Sequence, residues 1–160
     1  MINYVDNFLT KIEQQRVFSY CLKAPYFYGE TDNGEEDHPV TGMVSDIARD
    51  HWITKLLTRR CEETFAFLKD REMYRININI FAPNERAYYH IDRTGGYTLL
   101  YYPNLEWKLD NGGATEFNLE GQLQGIHPVP NRLAIFDANI LHRATPFTDR
   151  HRFTIAIKYE

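Results

Sequence analysis

Two histidines and one aspartate supply the donor atoms of a candidate metal site. His90-Ile91-Asp92 separates an imidazole from a carboxylate by one residue, so in an extended chain both side chains point to the same side. His142 follows the apolar run Leu133 to Phe136 further along the chain. Two neutral imidazoles and one carboxylate would occupy one face of an octahedral Fe(II) and leave three positions open for substrate and oxygen. Such a tripeptide also arises by chance, and its side chains would then be exposed near a turn.

A cationic residue follows the second histidine at the start of an alternating segment. Arg152 opens the run Arg-Phe-Thr-Ile-Ala-Ile, whose alternation places Arg152, Thr154 and Ala156 on one face of a strand. A guanidinium beside two small side chains suits a cosubstrate that carries a carboxylate, because arginine binds it through two parallel hydrogen bonds. The strand alone leaves a second interpretation open, in which Arg152 lies on a sheet edge and pairs with Asp149.

Two helices are predicted before these segments. Thr10 and Glu13 have the spacing of a capping box, and apolar residues then follow one helical face to about Leu22. A second helix is predicted from Asp50 to about Leu68. The turn-rich, acidic stretch around residues 29–38 is typical of an exposed loop. It is either a solvated linker or a lid that covers the site.

Short strands dominate the rest of the chain. Residues 74–81 alternate strictly, so that Ile76 and Ile78 share one face and Asn77 and Asn79 the other. Further runs with strand character follow at residues 97–102, 114–118, 122–127, 132–137 and 152–159. Two helices followed by many short strands predict an α+β, mainly β, fold built on a sandwich or barrel.

Composition limits the class of protein. The chain has 160 residues, of which 43% are hydrophobic and 25% charged, which is typical of one globular domain. Its net charge of −4 disfavours nucleic acid as a partner. Cys21 and Cys61 have no metal-binding spacing and are predicted to be buried hydrophobes. No secretory signal or membrane-spanning run is present, so we expect a cytoplasmic protein that does not bind membranes.

Further motifs follow the H-x-D tripeptide in a definite order. They are residues 97–104 ending in Tyr-Tyr-Pro-Asn, Trp107 with the Gly-Gly-x-x-x-Phe segment 112–117, the strand 132–136 leading to 141–146, and finally Arg152. In this order they resemble the Fe(II)- and 2-oxoglutarate-dependent oxygenases, in particular the prolyl 4-hydroxylase-like branch. The resemblance covers roughly Tyr74 to Tyr159 and implies a double-stranded β-helix, or jelly-roll, with the metal near one open end.

The resemblance also implies the domain plan and the roles of the site residues. Residues 1–160 would form one oxygenase domain, with N-terminal helical support over about 1–70 and the jelly-roll core over about 71–160. The iron ligands, which are also the catalytic residues, would be His90, Asp92 and His142. Arg152 would pair with the distal carboxylate of 2-oxoglutarate, and the Tyr102 hydroxyl would share that carboxylate.

Three further residues are predicted to contact the cosubstrate. Leu100 shares a strand face with Tyr102 and would line the same pocket, and Thr154 shares a face with Arg152. Asn79 matches a position at which related demethylases contact 2-oxoglutarate. It would face into the barrel if the isoleucines of its strand pack on the helices, and otherwise it would lie on a solvent-facing polar edge.

The implied activity is that of a dioxygenase which hydroxylates an unactivated C–H bond. Fe(II), 2-oxoglutarate and O2 would be its cofactors and cosubstrates, with ascorbate as a reductant. We expect a peptidyl proline in a peptide or protein as substrate. The alternatives are a free amino acid or small metabolite, or a non-catalytic metal-binding jelly-roll module. A metal-dependent hydrolase would need a general base, for which Glu116 is the candidate. No feature of the sequence indicates an oligomeric state.

Overall fold

The computed structural model describes residues 1–30 and 38–160, and within them nine β-strands form two antiparallel sheets. The larger sheet has the order β1-β7-β4-β9-β3-β2, and the smaller one has the order β6-β5-β8. Most of the acidic loop, which we predicted as a linker or a lid, lies outside the described residues. The strands are β1 (Ile2–Val5), β2 (Met43–Asp46), β3 (Met73–Phe81), β4 (Tyr97–Tyr101), β5 (Thr115–Leu119), β6 (Gln122–Ile126), β7 (Leu133–Asp137), β8 (Leu141–Ala144) and β9 (Arg152–Tyr159).

Both predicted helices form. Helix α1 spans Lys11–Cys21 and begins with the predicted capping box, in which Thr10 and Glu13 bond reciprocally to each other's backbone N–H. Helix α2 spans Trp52–Thr64 and ends four residues before the predicted boundary, because Phe65 leaves the helical conformation (φ −124°, ψ 84°). A 3-10 helix, Ala66–Asp70, continues the segment, and a second one spans Leu109–Asn111. Among residues 1–30 and 38–160, none of the helices has the length and apolar character that spanning a bilayer requires.

The helices cover the outer face of the larger sheet. Ile76 and Ile78 on β3 are buried in the same cluster as Val17 of α1 and Leu57 of α2. Cys21 and Cys61, both with free thiols, are buried there too, as predicted. This packing fixes the parity of β3, so its asparagines must point to the opposite face, between the two sheets.

A second, smaller core lies between the two sheets. Phe117 on β5 meets Phe136 on β7 with ring centroids 4.9 Å apart, and both side chains are fully buried. Across residues 1–30 and 38–160, each sheet keeps its own edge strands, so these strands do not close into a barrel. The mainly β fold with two helices and two facing antiparallel sheets is the predicted jelly-roll.

Three strands were missed in the sequence. The missed strands β1, β2 and β8 have only four residues each, too short for a clear alternation. β1 pairs with β7 and β2 pairs with β3, so the first seventy residues contribute two strands to the larger sheet besides the helices.

Candidate metal centre

The three candidate metal ligands converge between the two sheets. His90 and Asp92 lie in the segment that connects β3 to β4, whereas His142 lies on β8. Backbone hydrogen bonds of 3.0 and 2.9 Å join His90 and His142 reciprocally and hold the two segments together. Asp92 Oδ1 is 3.9 Å from His90 Nε2, and Asp92 Oδ2 is 3.7 Å from His142 Nε2. One ligand atom from each residue lies within 4.8 Å of the others, a spacing at which the triad could hold one ion.

Backbone carbonyls orient both imidazoles. His90 Nδ1 lies 3.0 Å from the carbonyl oxygen of Tyr88, and His142 Nδ1 lies 2.8 Å from that of Ile140. Because a carbonyl oxygen only accepts, Nδ1 of each ring is the donor to its carbonyl, and Nε2 is the nitrogen that faces Asp92. A carbonyl that fixes the tautomer in this way is the usual support of a metal-binding histidine.

The protonation states of Asp92 and His142 suit the binding of a cation. Burial alone would raise the pKa of Asp92, but the Lys158 ammonium and the His142 ring outweigh it and lower that pKa to about 2. Burial is the main cause that lowers the pKa of His142 to about 4, and the nearby His90 lowers it further. At neutral pH Asp92 is therefore a carboxylate and His142 a neutral imidazole, which are the forms that ligate metals.

A cavity of about 560 Å³ opens beside the triad. Four of the five residues predicted to contact the cosubstrate line it, namely Arg152, Thr154, Asn79 and Leu100. Asn79 lies on β3, which is flanked by β9 and β2, so the alternative of a polar sheet edge is wrong. Asn77 Nδ2 donates to Asn79 Oδ1 at 2.9 Å and fixes the orientation of the Asn79 amide.

Arg152 is a buried cation whose hydrogen-bond partners are neutral. Its side chain donates from Nε to the Gly113 carbonyl at 2.8 Å and from Nη2 to Thr115 Oγ1 at 3.0 Å. The residue is 2% exposed, and burial lowers the pKa of its guanidinium. Because β9 lies inside the larger sheet, and Asp149 pairs with Arg150 instead, the alternative of an edge arginine bound to Asp149 is wrong.

Tyr102 lies beneath this arginine rather than on the cavity wall. Its hydroxyl is 2.7 Å from Thr115 Oγ1, and the Arg152 guanidinium lies 5.5 Å from the centre of its ring. The residue is 1% exposed. Thr115 therefore links Tyr102 to Arg152, and contact of the Tyr102 hydroxyl with a cosubstrate stays a prediction.

The sequence interpretation missed Lys158, Thr98 and Thr115. Lys158 Nζ lies 2.6 Å from Asp92 Oδ1, and the Thr98 hydroxyl donates to Asp92 Oδ2 at 2.6 Å. Strand parity could have identified Lys158, since it shares a face with Arg152 and Thr154.

Glu116, the candidate hydrolytic base, is held by the Tyr89 hydroxyl at 2.5 Å and by Arg143 at 2.8 Å, and these groups lower its pKa. A carboxylate stabilised in this way is a weak base.

The jelly-roll, the His-Asp-His triad and the buried arginine define the class of metal-dependent oxygenases. The family model described as the 2OG-Fe(II) oxygenase superfamily matches residues 76–159, which is more than half of the chain. The chain therefore belongs to the 2OG-Fe(II) oxygenase superfamily and is an oxidoreductase. This family requires Fe(II) and 2-oxoglutarate, and the His90, Asp92 and His142 donor set fits iron.

Solved structures share the fold at low sequence identity. A prolyl-4-hydroxylase from Pseudomonas putida superposes with a TM-score of 0.83 at 16% identity, covering 99% of this chain and 92% of that one. A Trichoplax adhaerens prolyl hydroxylase, solved with a hypoxia inducible factor peptide fragment, gives 0.79 at 18% identity, with 99% and 82% covered. HygX from Streptomyces hygroscopicus, with nickel and 2-oxoglutarate bound, gives 0.75 at 8%, again with 99% and 82% covered. No curated protein sequence gives a significant match.

Proposed function

We propose that this chain is a prolyl 4-hydroxylase-like dioxygenase that acts on a peptide or protein and releases succinate and CO2. One observation carries the proposal: a single cavity contains both the His-Asp-His triad and a buried arginine that no carboxylate of the described chain neutralises. A ligand that satisfies both must bind a metal at one end and offer an anion at the other. The dicarboxylate 2-oxoglutarate has this form.

Each residue of the cavity has a separate task in this proposal. His90, Asp92 and His142 hold Fe(II), which when bound supplies the oxidative chemistry with O2. Arg152 holds the distal carboxylate, and Thr115 keeps its guanidinium in place. Asn79 and Thr154 offer polar groups along the wall between them, while Leu100 supplies an apolar surface that excludes water.

The choice of a peptide substrate is supported by the shape of the site and by the neighbouring folds. Ile91 and Arg93 are exposed and line the cavity beside the triad, where they form part of its rim. The two most similar structures reported above are prolyl hydroxylases, one of them solved with a peptide fragment. An extended chain could therefore lie across the rim and present a proline to the metal.

The test begins without any substrate. Fe(II) and then 2-oxoglutarate are added anaerobically to the purified protein, and the visible charge-transfer band of the chelate is followed. We expect the band in the wild type, its loss in His142→Ala, and a shift to at least tenfold higher 2-oxoglutarate concentration in Arg152→Ala. Absence of the band in folded, iron-loaded wild type would contradict the oxygenase site.

Substrate class is tested separately by turnover. Proline-containing peptides are incubated with Fe(II), 2-oxoglutarate, ascorbate and O2, and succinate and the peptide mass are measured. We expect peptide-dependent succinate and the gain of one oxygen atom, both lost when alanine replaces proline. Equal turnover with the alanine peptides, or turnover only with free amino acids, would overturn the peptidyl-proline assignment while leaving the oxygenase assignment intact.

A further inference from the structure

Lys158 is a cation placed directly against one of the candidate metal ligands. It lies near the end of β9, on the inner face of the larger sheet, opposite Thr98 on β4 and Arg75 on β3. Its Nζ is 2.6 Å from Asp92 Oδ1. The Lys158 and Asp92 side chains are 16% and 6% exposed, so water screens this ion pair little.

The neighbouring cation on the same face already has its own carboxylates. Arg75 donates to both oxygens of Glu30 at 2.9 and 2.8 Å and to Asp46 at 2.9 Å. Lys158 has one acidic partner within the described ranges, 1–30 and 38–160, and that partner is Asp92. The charge of Lys158 is therefore balanced by the same carboxylate that the triad would offer to a metal ion.

The second oxygen of Asp92 has a neutral partner instead. Thr98 Oγ1 donates to Asp92 Oδ2 at 2.6 Å. Both carboxylate oxygens are therefore hydrogen-bonded, one by an ammonium and one by a hydroxyl. The hydroxyl orients the carboxylate without adding charge, whereas the ammonium both orients it and neutralises it.

We propose that Lys158 acts as the counter-ion of Asp92 in the metal-free protein and competes with divalent metal ions for that carboxylate. This inference rests on the proposed metal site. A buried carboxylate without a cation is costly, so Lys158 stabilises the fold while the site is empty. A divalent ion that takes up Asp92 meets the positive charge of Lys158 at close range, and this repulsion lowers its affinity. Lys158 thus acts on the metal through Asp92 and sets how readily the site loads and releases its ion.

Two neighbouring substitutions that should change the metal affinity in opposite directions test the inference. Mn(II) is titrated into metal-free protein, and the concentration of free Mn(II) is measured by electron paramagnetic resonance. Lys158→Met removes the competing charge, and we expect it to bind Mn(II) about tenfold more tightly than the wild type. The reason is that the repulsion between one positive charge and a nearby divalent ion changes the affinity by at least this factor. Thr98→Val removes only the orienting hydroxyl, and we expect binding several-fold weaker. Lys158→Arg keeps the positive charge, so its affinity for Mn(II) should be close to the wild-type value.

The controls separate this inference from the proposed function. Lys158→Gln keeps a hydrogen-bond donor without the charge, so it serves if Lys158→Met does not fold, and it too should bind Mn(II) more tightly. If Lys158→Met and Lys158→Gln bind Mn(II) no more tightly than the wild type, Lys158 only positions Asp92, and the proposed competition is refuted. Wild-type protein that binds Mn(II) no better than His142→Ala would overturn the metal site itself.

Discussion

Thr115 is the residue on which the arginine end of the cavity depends. Its hydroxyl receives a hydrogen bond from Arg152 Nη2 and is bonded to the Tyr102 hydroxyl, and all three residues are at most 2% exposed. A buried guanidinium can select a carboxylate only if its planar fork is held in one orientation. The strength of cosubstrate binding should therefore depend on a residue that need not touch the cosubstrate.

Thr115→Val tests this dependence, since valine keeps the shape and removes the hydroxyl. Two buried polar groups lose a partner, so we expect the free energy of unfolding to fall by about 1–3 kcal/mol in urea denaturation. The 2-oxoglutarate titration of the charge-transfer band should move to higher concentration, because the guanidinium is less well fixed. Tyr102→Phe is the matched control: it leaves the bond between Arg152 and Thr115 in place and should cost less in both measurements. Wild-type stability in the valine variant would show that Thr115 is not the link.

The sequence points to His90, Asp92 and Arg152 as site residues, but not to Lys158 or to the hydroxyl groups that support them. His90, Asp92 and Arg152 were found because two of them lie two positions apart and the third opens an alternating strand. Thr98 and Thr115 are ordinary strand residues in any one-dimensional pattern, and only the folded chain places Thr98 against Asp92 and Thr115 against Arg152. The carbonyls that orient the histidines have no sequence signature at all, since any residue supplies one.

At the scale of elements, long strands are predictable and short ones depend on their partners. β3 and β9 alternate over nine and eight residues, so their faces could be read from the sequence. β8 has four residues and becomes a strand because β5 pairs with it and His90 bridges to it. The second histidine thus lies on an element that tertiary pairing creates. Its role was predicted from the motif around it, and not from any strand pattern.

Asn131, which lies two residues before β7, connects the segment before α1 to the larger sheet. Its side chain accepts from the Leu9 backbone N–H at 3.0 Å and from the Tyr101 hydroxyl at 3.0 Å, and it donates to the Leu9 carbonyl at 2.7 Å. These bonds hold the segment before α1 against the larger sheet. The backbone is left-handed there, with φ of 63°, a conformation that asparagine tolerates better than most residues.

Asn131→Ala should therefore destabilise the protein strongly. We expect a loss of about 2–4 kcal/mol in the free energy of unfolding, from the unsatisfied buried groups and the left-handed backbone together. Asn84→Ala provides the control, because Asn84 has a similar φ of 67° but is exposed. In Asn84→Ala the free energy of unfolding should fall by only about 1 kcal/mol, from backbone strain alone. Similar losses at both positions in urea denaturation would mean that the side-chain bonds of Asn131 contribute nothing.

For the whole molecule, the N-terminal segment and the jelly-roll share one sheet. β1 adds to the edge formed by β7, and β2 adds to the opposite edge formed by β3, so both come from the first seventy residues. Ile53 of α2 and Ile155 of β9 are buried in one cluster. The organisation as a single domain stays a prediction, but these contacts favour one cooperative unit, because neither part could unfold without exposing the core of the other.

The two tryptophans allow this cooperativity to be measured. Trp52 lies on α2 with the Arg16 guanidinium 4.9 Å from its ring, whereas Trp107 packs on Phe147 beside the smaller sheet, with ring centroids 5.4 Å apart. Trp52→Phe and Trp107→Phe each leave one tryptophan as a local probe. We expect the fluorescence of each variant to change at the same urea midpoint as its own far-ultraviolet circular dichroism.

Saturating Mn(II) extends this measurement to the link between the metal site and the fold. An ion that binds only the native state raises the free energy of unfolding by about 2.7 kcal/mol at one hundred times its dissociation constant. If the chain is one unit, Mn(II) must shift the midpoints reported by Trp52 and Trp107 equally, although neither ring lines the metal cavity. The His142→Ala background is the control, in which the shift should vanish for both probes. A shift confined to Trp107 would mean that the helical layer unfolds independently of the jelly-roll, and the single-domain prediction would be wrong.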